Sequence, residues 1–300
     1  MTLVDLRTTS VPPMPGDKPR DDELDLFGLT HPGLLRKDNQ DHFLLCTVHP
    51  QVVIHGTSLA GVEKLPLRGQ RLATLLLVAD GVGGWDAGRE ASQLAAETVT
   101  GYVASTLRCY HRAGSAGDEE FHQALTAAVL EAHATVRSEA LIRSDVRRMA
   151  TTLTVAMVVW PWAYIVQVGD SRCYYYTGGT LRQVTRDQTV AQDLVDRGAL
   201  PPEHLERSPL RNVLISAIGG DVATPVVTRL DIHERGSVLL LCSDGVNKHV
   251  SDAELAEQIG GMESSEQLCR RILELALERG GSDNITVIAG RARRRESIPG

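Results

Sequence analysis

Apolar residues cluster into short runs separated by polar segments, and most of the runs have the length of a β-strand. Several runs are almost wholly apolar, which is typical of strands that are buried on both faces. Runs of this kind lie at 72–80, 151–159, 163–169 and 236–243. Further strands are predicted at 42–48, 173–178, 180–184, 224–232 and 284–290. Gly178-Gly179 predicts a hairpin turn between two of them.

Two segments instead carry apolar residues at the three-to-four-residue spacing of an amphipathic helix. The first covers 91–103, and the second covers 121–136 after a predicted N-cap at Asp118. Near the C-terminus, a capping-box pattern predicts a short helix over 251–259. A longer helix is predicted over 265–279, where a glycine pair ends it.

The order of these elements predicts the fold class. Strands come first, then two long helices, many strands, two more helices and a last strand, without βαβα alternation. This order favours an α+β fold: a four-layer αββα sandwich with two central antiparallel sheets flanked by helix pairs. We expect one domain over 24–291, without internal repeats. Residues 1–23, rich in proline and charge, predict a disordered leader.

Composition narrows the setting. The net charge of −7 argues against nucleic-acid binding, and the one basic run, 291–295, indicates a solvated tail (292–300) or a weak docking patch. Five scattered cysteines without a CxxC pair indicate a reducing, cytoplasmic setting. The ten histidines form no HExxH pattern, which makes zinc an unexpected ligand. No apolar run reaches the roughly 20 residues of a membrane span, and the N-terminus lacks the apolar core of a signal peptide.

Four aspartates lie at the ends of predicted strands. Asp80, Asp170 and Asp244 each follow an apolar run, and Asp283 precedes one. An ionised carboxylate beside a buried strand is unfavourable unless a cation compensates it. Four such positions together predict that the acids converge on hard divalent ions. An all-oxygen ligand set favours Mg²⁺ or Mn²⁺.

Such a centre has a matching chemistry. Two ions roughly 4 Å apart can share a carboxylate and a water molecule, and they lower the pKa of that water. The reaction that fits is hydrolysis of a phosphate ester, which also needs a cation for the phosphoryl oxygens. Arg36 is the candidate, because a guanidinium can bind phosphate through two hydrogen bonds.

Each signal alone has a simpler interpretation. Asp80-Gly81 is a common turn dipeptide, although the carbonyl of Gly81 is also a candidate metal ligand. The segment 169–171 reads as a turn, and 282–284 as the end of a helix–strand connection. A surface arginine near a turn is the corresponding alternative for Arg36. The joint occurrence of these motifs carries the functional hypothesis.

Six motifs in order resemble the metal-dependent protein phosphatase (PPM, or type 2C) family, in its compact bacterial branch that opposes Ser/Thr kinases. The match runs from about 28 to 290. The motifs are Arg36-x-x-Asn39-x-Asp41, Asp80-Gly-Val-Gly-Gly, Gly169-Asp-Ser-Arg172, the run Leu181 to Asp187, Ser243-Asp-Gly and Ser282-Asp-Asn.

The resemblance implies an αββα sandwich with a dimetal site in a cleft at one end. It implies that Asp80 bridges both ions and that the Gly81 carbonyl binds one of them. Asp244 and Asp283 are then ligands of the second ion. Asp170 is expected to help hold a third, weaker metal site.

Other matched positions support the centre. Asp41 is expected either to bind metal or to hydrogen-bond a coordinated water, and Arg36 to bind phosphate. Asn39 and Asn284 are expected to support the ligands from behind. Thr151-Thr152 matches a strand start with a structural role. The segment 187–215 matches a flap beside the cleft.

The chain also departs from the family. Many eukaryotic members have a histidine, the usual candidate general acid, where this chain has Val82. Many bacterial members have one where it has Trp85. His31 and His42 are near in sequence and are alternative proton donors, as is a metal-bound water. The loop 49–70 is longer than in minimal members.

The resulting hypothesis is a Mn²⁺- or Mg²⁺-dependent phosphatase acting on phosphoserine and phosphothreonine through a metal-bridging hydroxide. Its partners are phosphorylated proteins, the substrates of Ser/Thr kinases, and we expect a cytoplasmic monomer without nucleic-acid or membrane partners. A second hypothesis is a non-catalytic phosphoprotein-binding or regulatory module, which predicts eroded metal ligands. A third is a phosphatase of a partner-switching transcription regulator, whose relatives usually lack the flap and the Gly-Asp-Ser-Arg motif.

Overall fold

The computed structural model describes residues 18–51, 53–55, 67–83, 86–105, 118–142 and 149–295. Its strands are β1 (Leu24–His31), β2 (Asp41–Val48), β3 (Ala73–Val82), β4 (Ala150–Thr151), β5 (Leu153–Val159), β6 (Trp162–Val168), β7 (Arg172–Thr177), β8 (Thr180–Gln183), β9 (Val226–Asp231), β10 (Val238–Cys242) and β11 (Ile285–Ala292). Its helices are α1 (Asp86–Ser105), α2 (Asp118–Ile142), α3 (Val190–Asp196), α4 (Asp244–Asn247), α5 (Asp252–Gly260) and α6 (Ser265–Glu278). Short 3₁₀ helices lie at Asp21–Glu23 and Pro202–Arg207.

The strands form two sheets in which neighbours are antiparallel. One sheet has the order β1-β11-β10-β7-β8. The other has the order β2-β3-β5-β6-β9, with the short β4 beside the end of β3. The last strand, β11, is an inner strand of its sheet, because it pairs with β1 on one side and with β10 on the other.

Three clusters of buried apolar side chains pack the sheets and helices together. Leu75 and Leu77 of β3 pack with residues of α1 and α2, whereas Leu76 and Val78 of the same strand face the other sheet. A third cluster joins the first sheet to α5 and α6. Both faces of β3 are therefore buried, which explains its unbroken apolar run. The predicted α+β sandwich of two antiparallel sheets and flanking helices is confirmed.

Local signals place several helix boundaries. The side chain of Ser251 accepts a hydrogen bond from the backbone N–H of Glu254, and the Glu254 carboxylate accepts one from the N–H of Ser251. This is the predicted capping box at the start of α5.

The helix α4 was not predicted, because the sequence of β10 reads as a strand that simply ends at Asp244. None of the helices in the described ranges is both long and apolar enough to cross a membrane.

The prediction of a disordered leader up to residue 23 is wrong for residues 18–23. Asp21–Glu23 form a 3₁₀ helix. The buried guanidinium of Arg71 donates to the Asp21 carboxylate and to the carbonyl of Pro19, at 2.7 Å for the latter. A buried guanidinium needs such acceptors, and this segment supplies them. Residues 1–17 lie outside the described residues.

The basic run at the C-terminus is not a free tail over its described part. Ala292 is the last residue of β11. Arg291 pairs with Asp25 at 2.9 Å, and Arg295 pairs with Glu23 at 2.9 Å. Both ends of the run therefore bind acids near the start of β1. Residues 296–300, like most of the loop 49–70, lie outside the described residues.

Candidate metal centre

The aspartates singled out in the sequence lie at one end of the sandwich. Asp41 at the start of β2 is directly opposite Asp80 near the end of β3. Asp244 begins α4, Asp283 lies just before β11, and Asp170 lies in the turn between β6 and β7. All four neighbours raise the pKa of Asp80 electrostatically, in addition to the larger effect of its burial. The five carboxylates are therefore one cluster.

Burial dominates the electrostatics of this cluster. It raises the pKa of Asp41 to about 6 and that of Asp170 to about 8, with the Asp244 charge as a further cause in both cases. Burial also raises the pKa of Asp244, against the opposing effect of Lys248. These carboxylates are held close together with little compensating charge, which is an arrangement suited to binding cations.

Asp41 offers an unsatisfied oxygen to the cluster. Its Oδ2 accepts hydrogen bonds from Ser243 Oγ and Thr286 Oγ1, both at 2.7 Å. Its Oδ1 is buried, without a hydrogen-bond donor among the described residues. A buried carboxylate oxygen needs a partner, and a metal ion or a coordinated water would supply it. The donor set, which is oxygen only, therefore fits Mn²⁺ or Mg²⁺.

The backbone around Asp80 is fixed from two sides. The carbonyl of Asp80 accepts from Thr152 N–H and Thr151 Oγ1, both at 2.8 Å. Gly81 donates to the Gln40 carbonyl at 3.2 Å. A Cβ on Gly81 would overlap the backbone of Gly88 in α1. The chain thus needs glycine here for close backbone packing.

Arg36 is placed against the cluster by Asp283. Its Nε lies 2.7 Å from Asp283 Oδ1 and its Nη2 lies 2.9 Å from Oδ2. The pKa of Asp283 is lowered, because the hydrogen bonds of Arg36 and Lys248 outweigh the opposing effect of burial. The Arg36 side chain remains 58% exposed. The guanidinium is therefore both anchored and open to a ligand.

Asn284 and Asn39 hold the loop that carries Arg36. Asn284 Nδ2 donates to the carbonyls of Pro32 and Asp38 at 2.9 Å, and its Oδ1 accepts from Gln40 N–H at 2.8 Å. Asn39 Oδ1 accepts from the N–H of Asp41 at 3.1 Å. Neither side-chain amide donates to a carboxylate of the cluster in these contacts, whereas the backbone N–H of Asn284 donates to Asp283 Oδ1 at 3.0 Å. They position the ligand-bearing backbone.

Lys248 is a site residue that sequence reasoning missed. Its Nζ lies 2.6 Å from Asp244 Oδ2 and 2.7 Å from Asp283 Oδ2. The signal was a lysine four residues after Asp244, which faces that aspartate only if the intervening residues form a helical turn. Because α4 was not predicted, the pairing was not seen.

His249 was missed for the same reason. Its Nε2 accepts the backbone N–H of Ser282 at 2.9 Å and lies 2.9 Å from the hydroxyl oxygen of that serine. It thereby fixes the turn that presents Asp283. The residue after Lys248 is thus also part of the support of the site.

The carboxylates of the cluster do not all surround one common position. Within the described ranges, no three His, Cys, Asp or Glu side chains form a group that could hold one ion. Lys248 and Arg36 account for part of this, since they hold Asp244 and Asp283 in contacts of their own.

The histidines proposed as proton donors point elsewhere. His42 follows Asp41 in β2, so the two side chains lie on opposite faces of the sheet. His42 Nδ1 lies 2.9 Å from Ser92 Oγ on α1. His31 Nδ1 accepts the N–H of Gly33 at 3.0 Å within its own turn. Trp85 lies outside the described residues.

A cleft beside the acids is bounded by the segment predicted as a flap. Its walls include Asp170, Asp244 and Lys248 on the domain, and Leu205, Arg211 and Asn212 from the segment 187–215. Thr189 caps α3 by accepting the N–H of Gln192. The segment contains α3 and the 3₁₀ helix Pro202–Arg207, which agrees with the predicted mixture of helix and loop.

Comparison with known proteins identifies the family. The model of the family "Protein phosphatase 2C" matches residues 67–279. The chain belongs to the protein phosphatase 2C family. A curated relative, the serine/threonine protein phosphatase PstP of Mycobacterium tuberculosis, is 36% identical over 216 residues, which are 72% of this chain and 40% of PstP. The chain therefore spans less than half the length of that relative.

Two further comparisons agree with this assignment. The serine/threonine phosphatase Stp of Listeria welshimeri is 30% identical over 214 residues, 71% of this chain and 82% of Stp. The crystal structure of the PstP catalytic domain in complex with 2 manganese ions superposes with a TM-score of 0.69. It is 29% identical and covers 90% of this chain and 99% of that one. The fold of this chain and its assignment to the protein phosphatase 2C family thus agree with these comparisons.

Proposed function

We propose that this chain is a metal-dependent protein phosphatase that hydrolyses phosphoserine and phosphothreonine in proteins. The observation that carries the proposal is the convergence of five carboxylates from separate segments beside an anchored, exposed Arg36. Its membership of the protein phosphatase 2C family supports the same activity. The retention of all these acids argues for catalysis rather than for phosphoprotein binding alone.

The acids are proposed to divide the metal ligands among them. Asp80 would be the ligand shared by two ions, and the Gly81 carbonyl would bind one of them. Asp244 and Asp283 would bind the second ion. The manganese bound by the PstP catalytic domain supports Mn²⁺ as an ion of this site, and Mg²⁺ has the same oxygen preference.

Asp41 and Asp170 are proposed to have supporting roles in metal binding. The unsatisfied Oδ1 of Asp41 is proposed to bind an ion or a coordinated water. Asp170, 8% exposed and bordering the cleft, is proposed to help hold a third, weaker ion. Its place in the cleft wall, beside residues of the segment 187–215, supports this role.

The residues of the chain bind and orient the substrate. When bound, the metal ions supply Lewis acidity and an activated water for attack on phosphorus. Arg36 is proposed to bind the phosphoryl oxygens through its exposed guanidinium. Asn39 and Asn284 hold the loop that carries Arg36, and the flap limits which phosphorylated segments enter the cleft.

The biological setting is proposed from the same features. The substrates are phosphorylated proteins, the products of Ser/Thr kinases. We propose that the chain acts as a monomer in the cytoplasm, and the free thiols of the described cysteines support a reducing setting. The identity of the phosphoprotein is a matter for comparing phosphorylated proteins with and without this enzyme.

The test is hydrolysis of p-nitrophenyl phosphate and a phosphothreonine peptide with and without Mn²⁺. We expect activity that requires the ion and is abolished in D80N and D244N. The matched control is D22N, the same change at an exposed aspartate that pairs with Arg20 far from the cleft. Hydrolysis that needs no divalent ion, or that survives in D80N, would overturn the proposal.

A further inference from the structure

Lys248 links two predicted metal ligands from different parts of the chain. Its Nζ contacts Asp244, one helical turn earlier, and Asp283, which precedes β11. The two N–O distances, 2.6 and 2.7 Å, are those of strong charge-assisted hydrogen bonds. The lysine side chain is only 18% exposed. It is therefore part of the floor of the cleft rather than a solvated surface charge.

The contacts occupy the oxygens that an ion would need. Oδ2 of Asp283 accepts from both Lys248 Nζ and Arg36 Nη2, and Oδ1 faces Arg36 Nε. Oδ2 of Asp244 faces Lys248 as well. A carboxylate oxygen has two lone-pair sites, so Oδ2 of Asp283 has none left for an ion while both cations stay.

The other acids of the cluster are in a different position. Among the described residues, Asp41, Asp80 and Asp170 form no ion pair with a lysine or arginine within 4.0 Å. Without such a partner, these buried carboxylates lose their unfavourable charge either by taking up a proton, as their raised pKa values indicate, or by binding a cation from solution. The cluster therefore has two parts. Asp244 and Asp283 are paired with cationic side chains, whereas within the described ranges Asp41, Asp80 and Asp170 are not.

We propose that Lys248 is a resident counter-cation that competes with one divalent ion for Asp244 and Asp283. In the metal-free protein it holds these two carboxylates together. On metal binding it is displaced from them, so the ion held by Asp244 and Asp283 binds more weakly than the other of the two ions that would share Asp80. This inference rests on the proposed function, because it takes Asp244 and Asp283 as ligands.

The test is titration of the metal-free protein with Mn²⁺ in a calorimeter. Wild-type protein is expected to show a tighter site and a weaker site, the latter formed by Asp244 and Asp283, apart from the third ion proposed at Asp170, which D170N removes from the titration. K248M is expected to bind at the weaker site at least tenfold more tightly, since the competitor is gone. The matched control is K37M, which removes the same charge from an exposed lysine beside Arg36 and is expected to change both affinities less than twofold.

A second measurement separates competition from loss of fold. The thermal midpoint of K248M without metal is expected to fall, because Asp244 and Asp283 then repel each other, and saturating Mn²⁺ is expected to restore it. K248Q, which keeps a hydrogen-bond donor without the charge, should retain more metal-free stability and still bind the weaker ion tightly. K248Q replaces K248M in the titration if K248M does not fold.

Two outcomes are decisive in different ways. Unchanged or weaker binding at the weaker site in both K248M and K248Q would overturn this inference and leave the proposed function standing. Absence of any Mn²⁺ binding by wild-type protein would overturn the proposed function, and the inference with it. Loss of one site in D283N, with K248M behaving as expected, supports both.

Discussion

Arg172 holds Asp187 at the base of the flap through three contacts of 2.7 to 3.1 Å. Both side chains are more than four-fifths buried, at 16% and 15% exposure. The pair joins the strand β7 to the segment that closes the cleft. It therefore connects two of the sequence motifs that first suggested a phosphatase.

Removing one partner of this pair is expected to destabilise the protein. R172M leaves a buried carboxylate without its cation, which should lower the free energy of unfolding by about 3 kcal/mol. R186M is the comparison, because Arg186 pairs with Asp196 in the same segment but is 64% exposed. That change should cost about 1 kcal/mol or less. Urea unfolding measures both, and equal losses would contradict the burial argument.

Arg36 is predicted to act on substrate rather than on stability. R36A should lower kcat/KM for a phosphothreonine peptide on the order of 100-fold, because a charged donor to the phosphoryl oxygens is lost. R36K keeps the charge but not the two-pronged geometry, and should fall between. Initial-rate kinetics at saturating Mn²⁺ measure this effect.

Arg270 provides the control for that change. It is 61% exposed and pairs with Glu266 on α6, far from the cleft. R270A should leave kcat/KM within a factor of about two, since exposed pairs contribute little. A similar loss in R36A and R270A would remove Arg36 from the substrate site.

Gly245 is predicted to be essential for packing within the centre. A Cβ at this position would overlap the carbonyl oxygen of Asn284. G245A should therefore destabilise the protein by about 1–3 kcal/mol. G101A is the matched control, because nothing lies within 4 Å of a Cβ there and the residue is within α1.

The control is expected to move in the opposite direction. Alanine is favoured over glycine inside a helix by roughly 0.5–1 kcal/mol, so G101A should stabilise the protein slightly. Urea unfolding of both variants measures the difference. A destabilisation of G245A no larger than the effect of G101A would refute the packing argument.

The extent to which the site could be predicted varies from residue to residue. The convergence of Asp80, Asp170, Asp244 and Asp283 was predictable because strand ends and carboxylates are local signals. Asp41 was found only through the family resemblance, and its place opposite Asp80 was not predicted. The pairing of Asn284 with the loop 32–40 was not, because it joins residues about 250 positions apart. The direction of His42 was available from the two-residue period of β2, which places it opposite to Asp41.

The fold followed the same division. The strand β3 was predictable because burial of both faces leaves an unbroken apolar run. The short helix α4 was not, because four residues give too little periodicity to distinguish a helical turn from a loop. The order of residues 18–23 was not either, since it depends on a buried guanidinium 50 residues later in the chain.

The metal-free protein is predicted to lose stability as the pH rises. Asp170 has a pKa raised to about 8, mainly by burial and then by Asp244, against 3.8 as its ordinary value. Between these values the native state holds a proton that the unfolded state has released, so stability falls with increasing pH. D170N lacks this group and should show a smaller decline.

The measurement is the thermal midpoint of EDTA-treated wild type and D170N at pH 5, 6.5 and 8. The difference between the two proteins is the useful quantity, because other titrating groups contribute equally to both. It should shift in favour of D170N as the pH rises. A constant difference across this range would show that Asp170 is not protonated in the native state.

The start of β1 and the end of β11 lie together at the end of the sandwich opposite the cleft. In the pairing of β1 with β11, Leu24 is opposite Ala292 and His31 is opposite Ile285, next to the acids. Seven residue steps along a strand amount to about 24 Å. A fluorophore or surface tether attached near Arg295 would thus leave the cleft free. The immobilised protein should therefore present the cleft outwards, toward the solution.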